Sequence, residues 1–189
     1  AITQLINMVY YISNSDNEYN LTIYVNNKTL KILEDNDSLS NYKIVLCKFP
    51  GISILFRVIW EQLILPLHLI NDSIDVLFCP GNIAPIFSSS KKVVWIGTIG
   101  PFFKDFYKGF DFSSRIKLFG NKLIMILSAR KSDSIIFESM FTKKLFIKKY
   151  GINPIKSAVI NIGKDKYFFP APNNKYFCWD GINYESPYI

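Results

Sequence analysis

Val76-Leu-Phe-Cys79 is an apolar run of four residues, stopped at once by Pro80-Gly81 and followed by Asn82 and a second proline, Pro85. A run this short, bounded by turn residues, reads as a strand buried on both faces, and such strands belong to parallel sheets covered by helices. A parallel neighbour needs a crossover of a dozen or more residues. The rest of the chain must then supply strands and helices in alternation, and it does. Residues 21–25, 42–47, 91–96, 133–137 and 156–160 read as further strands. Helical patterns cover 3–13 and 52–70, the second kinked or divided at Pro66. They continue over 112–131, with Ser113 or Ser114 as N-cap, and from a cap at Ser139 to Tyr150, ended by Gly151. This alternation predicts an α/β fold: a Rossmann-like three-layer domain with a mostly parallel sheet. An α/β domain rarely begins with a helix, so the first strand of the sheet is expected upstream of Ala1.

The 189 residues suffice for one domain with a sizeable core. Residues 1–170 are assigned to it. Residues 171–189 read as a linker and the approach to a further unit. With 49% hydrophobic and 20% charged residues the composition is globular. No apolar run reaches 18 residues without a charge, so no transmembrane helix is expected. Cys47, Cys79 and Cys178 are odd in number and widely spaced, which argues for reduced thiols in a cytoplasmic setting. The formal charge of +7 is uneven, with Lys and Arg concentrated after Lys91. A basic half suits a phosphate-bearing ligand or an anionic membrane surface. Nucleic acid is the weaker option.

The usual catalytic signatures are missing from the sequence. His68 is the sole histidine and sits in an apolar run, where packing explains it better than catalysis. There is no Gly-x-Ser-x-Gly, no phosphate-binding glycine motif and no metal-ligand spacing. No cofactor and no metal are expected. The loops are more informative. In a parallel sheet Asn82 with Gly81, Thr98 with Gly97, Ser139, and Asn161 with Gly163 all follow C-terminal strand ends, where ligands bind. Ser139 also opens a helix, whose N-terminal N–H groups favour an anion. Each residue alone is explained as a cap or turn. Together they suit a sugar or nucleotide-sugar.

The residues that carry a resemblance are Arg57-x-x-Trp60-Glu61-Gln62-x-x-Leu65-Pro66, Asp75-Val-Leu-Phe-x-Pro80-Gly81-Asn82-Ile-Ala-Pro85, and Val93-Val94 leading to Pro101-Phe102. They are followed by Ala129-Arg-Lys-Ser-Asp133, Ser139-x-Phe141-Thr142, Tyr150-Gly151-Ile152 and Asn161-x-Gly163-x-Asp165. This ordered set resembles the N-terminal half of family 4 glycosyltransferases (glycosyl transferases group 1). The resemblance implies one half of a GT-B fold, two Rossmann-like domains facing across a cleft. The N-terminal half binds the acceptor. A C-terminal domain, not contained in these residues, binds the nucleotide-sugar. Such enzymes retain anomeric configuration and need no metal. There are two departures from the family pattern. Gly97-Thr98 stands where many members have His-Asp, and Met140 stands where the family's Ser-Glu-Phe-Ser carries its acid.

The resemblance thus implies the acceptor-binding domain of a retaining hexosyltransferase in cell-surface polysaccharide synthesis. It would act on a nucleotide-sugar and a glycan or lipid-linked acceptor. The isolated chain would be inactive. Asn82, Gly81, Thr98, Gly97, Ser139, Asn161 and Gly163 would line the cleft, with Arg57 and Glu61 ordering the long helix. Lys143, Lys144, Lys148 and Lys149 would give peripheral contact with the inner face of the plasma membrane. The alternative is a non-catalytic α/β module, derived from such an enzyme, that holds a glycan or a partner.

Overall fold

The computed structural model describes residues 8–9, 11–12, 19–34, 42–47, 54–161, 176–179 and 182–185. Residues 8–9 and 11–12 are helical. Then come β1 (Thr22–Val25), α1 (Asn27–Glu34) and β2 (Lys43–Leu46), a parallel pair and its crossover helix. A long helical arm follows in three parts: α2 (Ile54–Ile59), a π-helical turn (Trp60–Ile64) and α3 (Leu65–Asn71). Pro66 explains the division. It stands in the first turn of α3, and its ring would collide with the carbonyl of residue 62 in an unbroken α-helix. The wider turn relieves that clash, and Leu65 N–H donates to the Trp60 carbonyl five residues back.

The main sheet is β3 (Val76–Cys79), β4 (Lys91–Ile96), β5 (Ser134–Phe137) and β6 (Ser157–Val159), paired in that order and parallel throughout. Its crossover helices are α4 (Phe112–Lys131) and α5 (Met140–Tyr150). The fold class read from the sequence is therefore the one observed, with the parallel strands divided into a two-stranded and a four-stranded sheet. The remaining strands, β7 (Tyr176–Trp179) and β8 (Ile182–Glu185), form an antiparallel hairpin.

The core lies on one face of the main sheet. Val94, Ile96, Ile135 and Phe137 have no exposed surface, and the ring of Phe146 of α5 packs tilted against Phe137 at 5.2 Å. Phe102, from a 3-10 turn after β4, closes the aromatic cluster 4.8 Å from Phe146 and 5.3 Å from Tyr150. Ser128 of α4 is fully buried, yet its hydroxyl donates to the Ala84 carbonyl, so its polarity is matched. Lys92 is buried too, and its ammonium donates to the Pro85 and Ile86 carbonyls. Burial lowers its pKa.

The N-cap of α4 is Asp111, whose carboxylate accepts from Ser114 N–H at 3.2 Å, and not Ser113 or Ser114. Aspartate caps as well as serine, and its charge adds the helix-dipole attraction. Of the expected helix over 3–13 only residues 8–9 and 11–12 are described, and of 171–189, expected as a linker and the approach to a further unit, only 176–179 and 182–185.

Candidate functional site at the strand ends

Asn82 follows β3 in the left-handed region, at φ 68°. Asparagine tolerates this conformation better than most residues, and here it aims the side chain across to the next loop. Its Oδ1 accepts from Gly97 N–H at 2.8 Å and Thr98 N–H at 3.0 Å, while its own N–H donates to the Trp95 carbonyl at 3.1 Å. Asn82 thus braces the loop after β4 against the loop after β3. Thr98 is held by this brace with its side chain exposed.

Gly97 has a second neighbour. A Cβ on it would lie 2.3 Å from Glu138 Oε1, 2.7 Å from Cδ and 3.0 Å from Oε2. The Glu138 carboxylate fills the place that a side chain at position 97 would take. It is fixed there by Trp95, whose indole Nε1–H donates to Oε1 at 3.0 Å. Glycine at 97 leaves room for this close approach, and its φ makes no demand for glycine. The place beside position 97 is thus filled by an acid that follows β5, and Met140 is exposed.

Ser139 caps α5. Its Oγ accepts from Thr142 N–H at 3.2 Å and shares a 2.9 Å hydrogen bond with the Thr142 hydroxyl. It joins the rim through its neighbour Glu138. Ile160 N–H donates to the Phe137 carbonyl, so Asn161 follows at the C-terminal end of β6, next to β5. Gly81 is exposed with open space around it, and Gly163 lies outside the described residues. The structure thus brings Asn82, Gly97, Thr98, Glu138, Ser139 and Asn161 onto one rim.

Glu138 is the residue that sequence reasoning missed. The signal was available: an acid between the last residue of a buried strand and a helix cap, opposite a glycine at the end of the neighbouring strand. What the rim offers chemically is one carboxylate acceptor, the exposed Thr98 hydroxyl and the first N–H groups of α5. That set hydrogen-bonds hydroxyls and accommodates an anion.

Arg57 and Glu61 pair at 3.2 Å, as their spacing predicts. Glu61 lies in the π-helical turn. Burial raises its carboxyl pKa, opposed by the Arg57 charge. Both line a cavity of about 1050 Å³ between β1 and β3. Beside them His68 packs between Trp60 and Tyr24, at ring separations of 6.1 and 6.5 Å. Among the described residues no cluster of His, Cys, Asp and Glu has the form of a metal site. Comparison of the chain with known protein families, with curated proteins and with solved structures finds no match in any of the three.

Proposed function

We propose that this chain is the acceptor-binding half of a retaining glycosyltransferase. The observation that carries the reading is the Glu138 carboxylate, presented beside Thr98 at the C-terminal ends of adjacent parallel strands. Sugars are recognised by carboxylates and amides that take their hydroxyls in pairs, in clefts at this place in doubly wound sheets. The ordered motif set from Arg57 to Asp165 supports the same reading. In it Asn82 and Gly97 hold the rim in shape, Glu138 and Thr98 meet sugar hydroxyls, and α5 attracts a phosphate through its N-terminus. The donor nucleotide-sugar belongs to a second domain, so the chain alone binds without turnover.

The acceptor would be lipid-linked and reached at the inner membrane face. No described helix is long and apolar enough to cross a membrane; the contact proposed is a peripheral one, through α5. Phe141, Lys144 and Lys148 succeed one another at helical spacing on α5 and are exposed. Phe103 stacks on Phe141 at 6.2 Å. Each lysine of such a face gains on the order of 1 kcal/mol near anionic lipid. Lys143 is committed elsewhere, to the Ser157 carbonyl.

The test is a glycan array probed with the chain, followed by calorimetry on the best oligosaccharide. Binding that weakens at least ten-fold in Glu138→Ala supports the proposal. Binding of no glycan by a folded chain would falsify it.

A further inference from the structure

The helical arm is apolar on two sides. Trp60, Leu65 and Leu69 are buried in the main core. On the outer side Phe56, Ile59, Leu63, Leu67 and Ile70 recur at spacings of three and four, straight through the π-helical turn. Each of these five is between 41% and 65% exposed. A helix that is apolar all round belongs in an interior. Gln62 widens the patch: its side chain donates to the Ala84 carbonyl and accepts from Ile86 N–H. That sets the next residue, Phe87, beside the arm, where it is 77% exposed. At about 200 Å² for a fully exposed large apolar residue, the patch presents about 600–800 Å², at or above the largest patch of an ordinary monomer. Two such patches meeting would bury about 1,200–1,600 Å², the size of a standard specific interface.

The charge pattern selects the occupant. Between Ile54 and Asn71 the charged side chains are Arg57 and Glu61, which neutralise one another at 3.2 Å. An anionic lipid surface is held by lysine and arginine flanking an apolar face, and the arm has no lysine. α4 supplies the contrast. Its outer side also shows Ile116, Phe119 and Leu123, but with Arg115 and Lys117 exposed among them. Two α4 faces would oppose like charges, whereas two arms would not. The stripe is also symmetric: Leu63 lies seven residues from both Phe56 and Ile70.

We infer that the outer side of the helical arm is a two-fold interface between two copies of this chain, with the arms antiparallel and crossing at Leu63. Such an interface is self-complementary. The two Leu63 side chains meet on the axis, and Phe56 lies against Ile70 of the partner subunit. The interface holds whether or not the rim binds sugar.

The test is sedimentation velocity on the 189-residue chain across micromolar concentrations. A dimer is expected, with its dissociation constant raised at least ten-fold in Leu63→Lys, which sets two ammonium groups face to face. Leu63 is exposed, so the fold survives the change. Ile116→Lys, on α4, leaves the dimer intact. A folded chain that stays monomeric, a dimer unmoved by Leu63→Lys, or one dissociated by Ile116→Lys overturns the inference. A monomer that floats with phosphatidylcholine vesicles also overturns it, by assigning the face to lipid. Mild oxidation of cysteine variants reads the geometry separately, with the parent chain as the baseline. Leu63→Cys links two chains above that baseline. Phe56→Cys does not, because at about 1.5 Å per residue it lies about 10 Å from the axis and about 20 Å from its own copy. Equal crosslinking by the two variants sinks the antiparallel pairing.

Discussion

Gly97→Ala is the sharpest perturbation of the rim. The added Cβ would meet Glu138 Oε1 at 2.3 Å, whereas ordinary contact begins at 3.4 Å, so the carboxylate must retreat by about 1.1 Å. The backbone has no reason to move, because Gly97 is outside the left-handed region. The retreat breaks the bond from Trp95 Nε1–H. A hydrogen bond to a charged acceptor contributes about 1.5–3 kcal/mol, the lower end applying to a half-buried group such as Glu138. Alanine returns about 0.4–1 kcal/mol by restricting the unfolded chain. The net loss is about 0.5–2 kcal/mol, or a fall in Tm of about 2–4 °C per kcal/mol for a chain this long. In a Glu138→Ala background the three atoms closest to the methyl group are gone, and the same change is expected to be neutral or slightly stabilising. The assay is a double-mutant cycle by thermal unfolding, with the Trp95 indole N–H resonance as a local probe. A coupling of about 1–2 kcal/mol and a shifted indole resonance are expected. Equal destabilisation in both backgrounds, with the indole resonance unmoved, would refute the reasoning.

Other positions give independent checks. Asn82→Ala removes two hydrogen bonds and places alanine at φ 68°, at a cost of about 2–3 kcal/mol. Asn82→Asp keeps the acceptor and unfolds within about 1 kcal/mol of the parent in denaturant titration. Gly151→Ala, at φ 66° beyond α5, lowers stability by about 1 kcal/mol by the same measurement. Phe146→Ala empties the centre of the aromatic cluster and costs about 3–5 kcal/mol. Asp72 has its pKa lowered by hydrogen bonds from Lys43 and then Tyr24. A depressed carboxyl stabilises the fold above its unfolded pKa and loses that contribution as pH falls through the folded value. The β1–β2 pair should therefore loosen below about pH 4, seen as faster hydrogen exchange in β1 peptides before β4 peptides change.

Much of the fold was legible because local signals and tertiary demands agree. The strand at 76–79 is apolar, short and stopped by Pro-Gly, and nothing competes with that reading. Ser139 and Gly151 mark both ends of α5 in the sequence and cap it in the structure. Pro66 announced the break in the helical arm, but not that a π-helical turn would absorb it, since that depends on how Trp60 and Leu65 pack. The rim was legible as a set of loops and not as a network. Asn82 looked like a ligand contact, yet it spends its oxygen on two backbone N–H groups. Glu138 was overlooked: its place between a strand end and a helix cap was readable, but the space left by Gly97, 41 positions away in the chain, follows only from the register of β4 on β5. The division of the sheet has the same origin: 21–25 and 76–79 each read as strands, and which strands pair among the described residues appears only in the structure.

The most direct test of the central claim is sugar transfer by the product of the complete reading frame. It is assayed by release of free nucleotide from UDP- and GDP-sugars with prenyl-pyrophosphate-linked sugar as acceptor. Acceptor-dependent release that falls at least ten-fold in Glu138→Ala, and that the 189-residue chain alone does not produce, is the predicted result. A folded, complete protein that releases no nucleotide with any of these donors, or a Glu138→Ala variant with undiminished transfer, would contradict it.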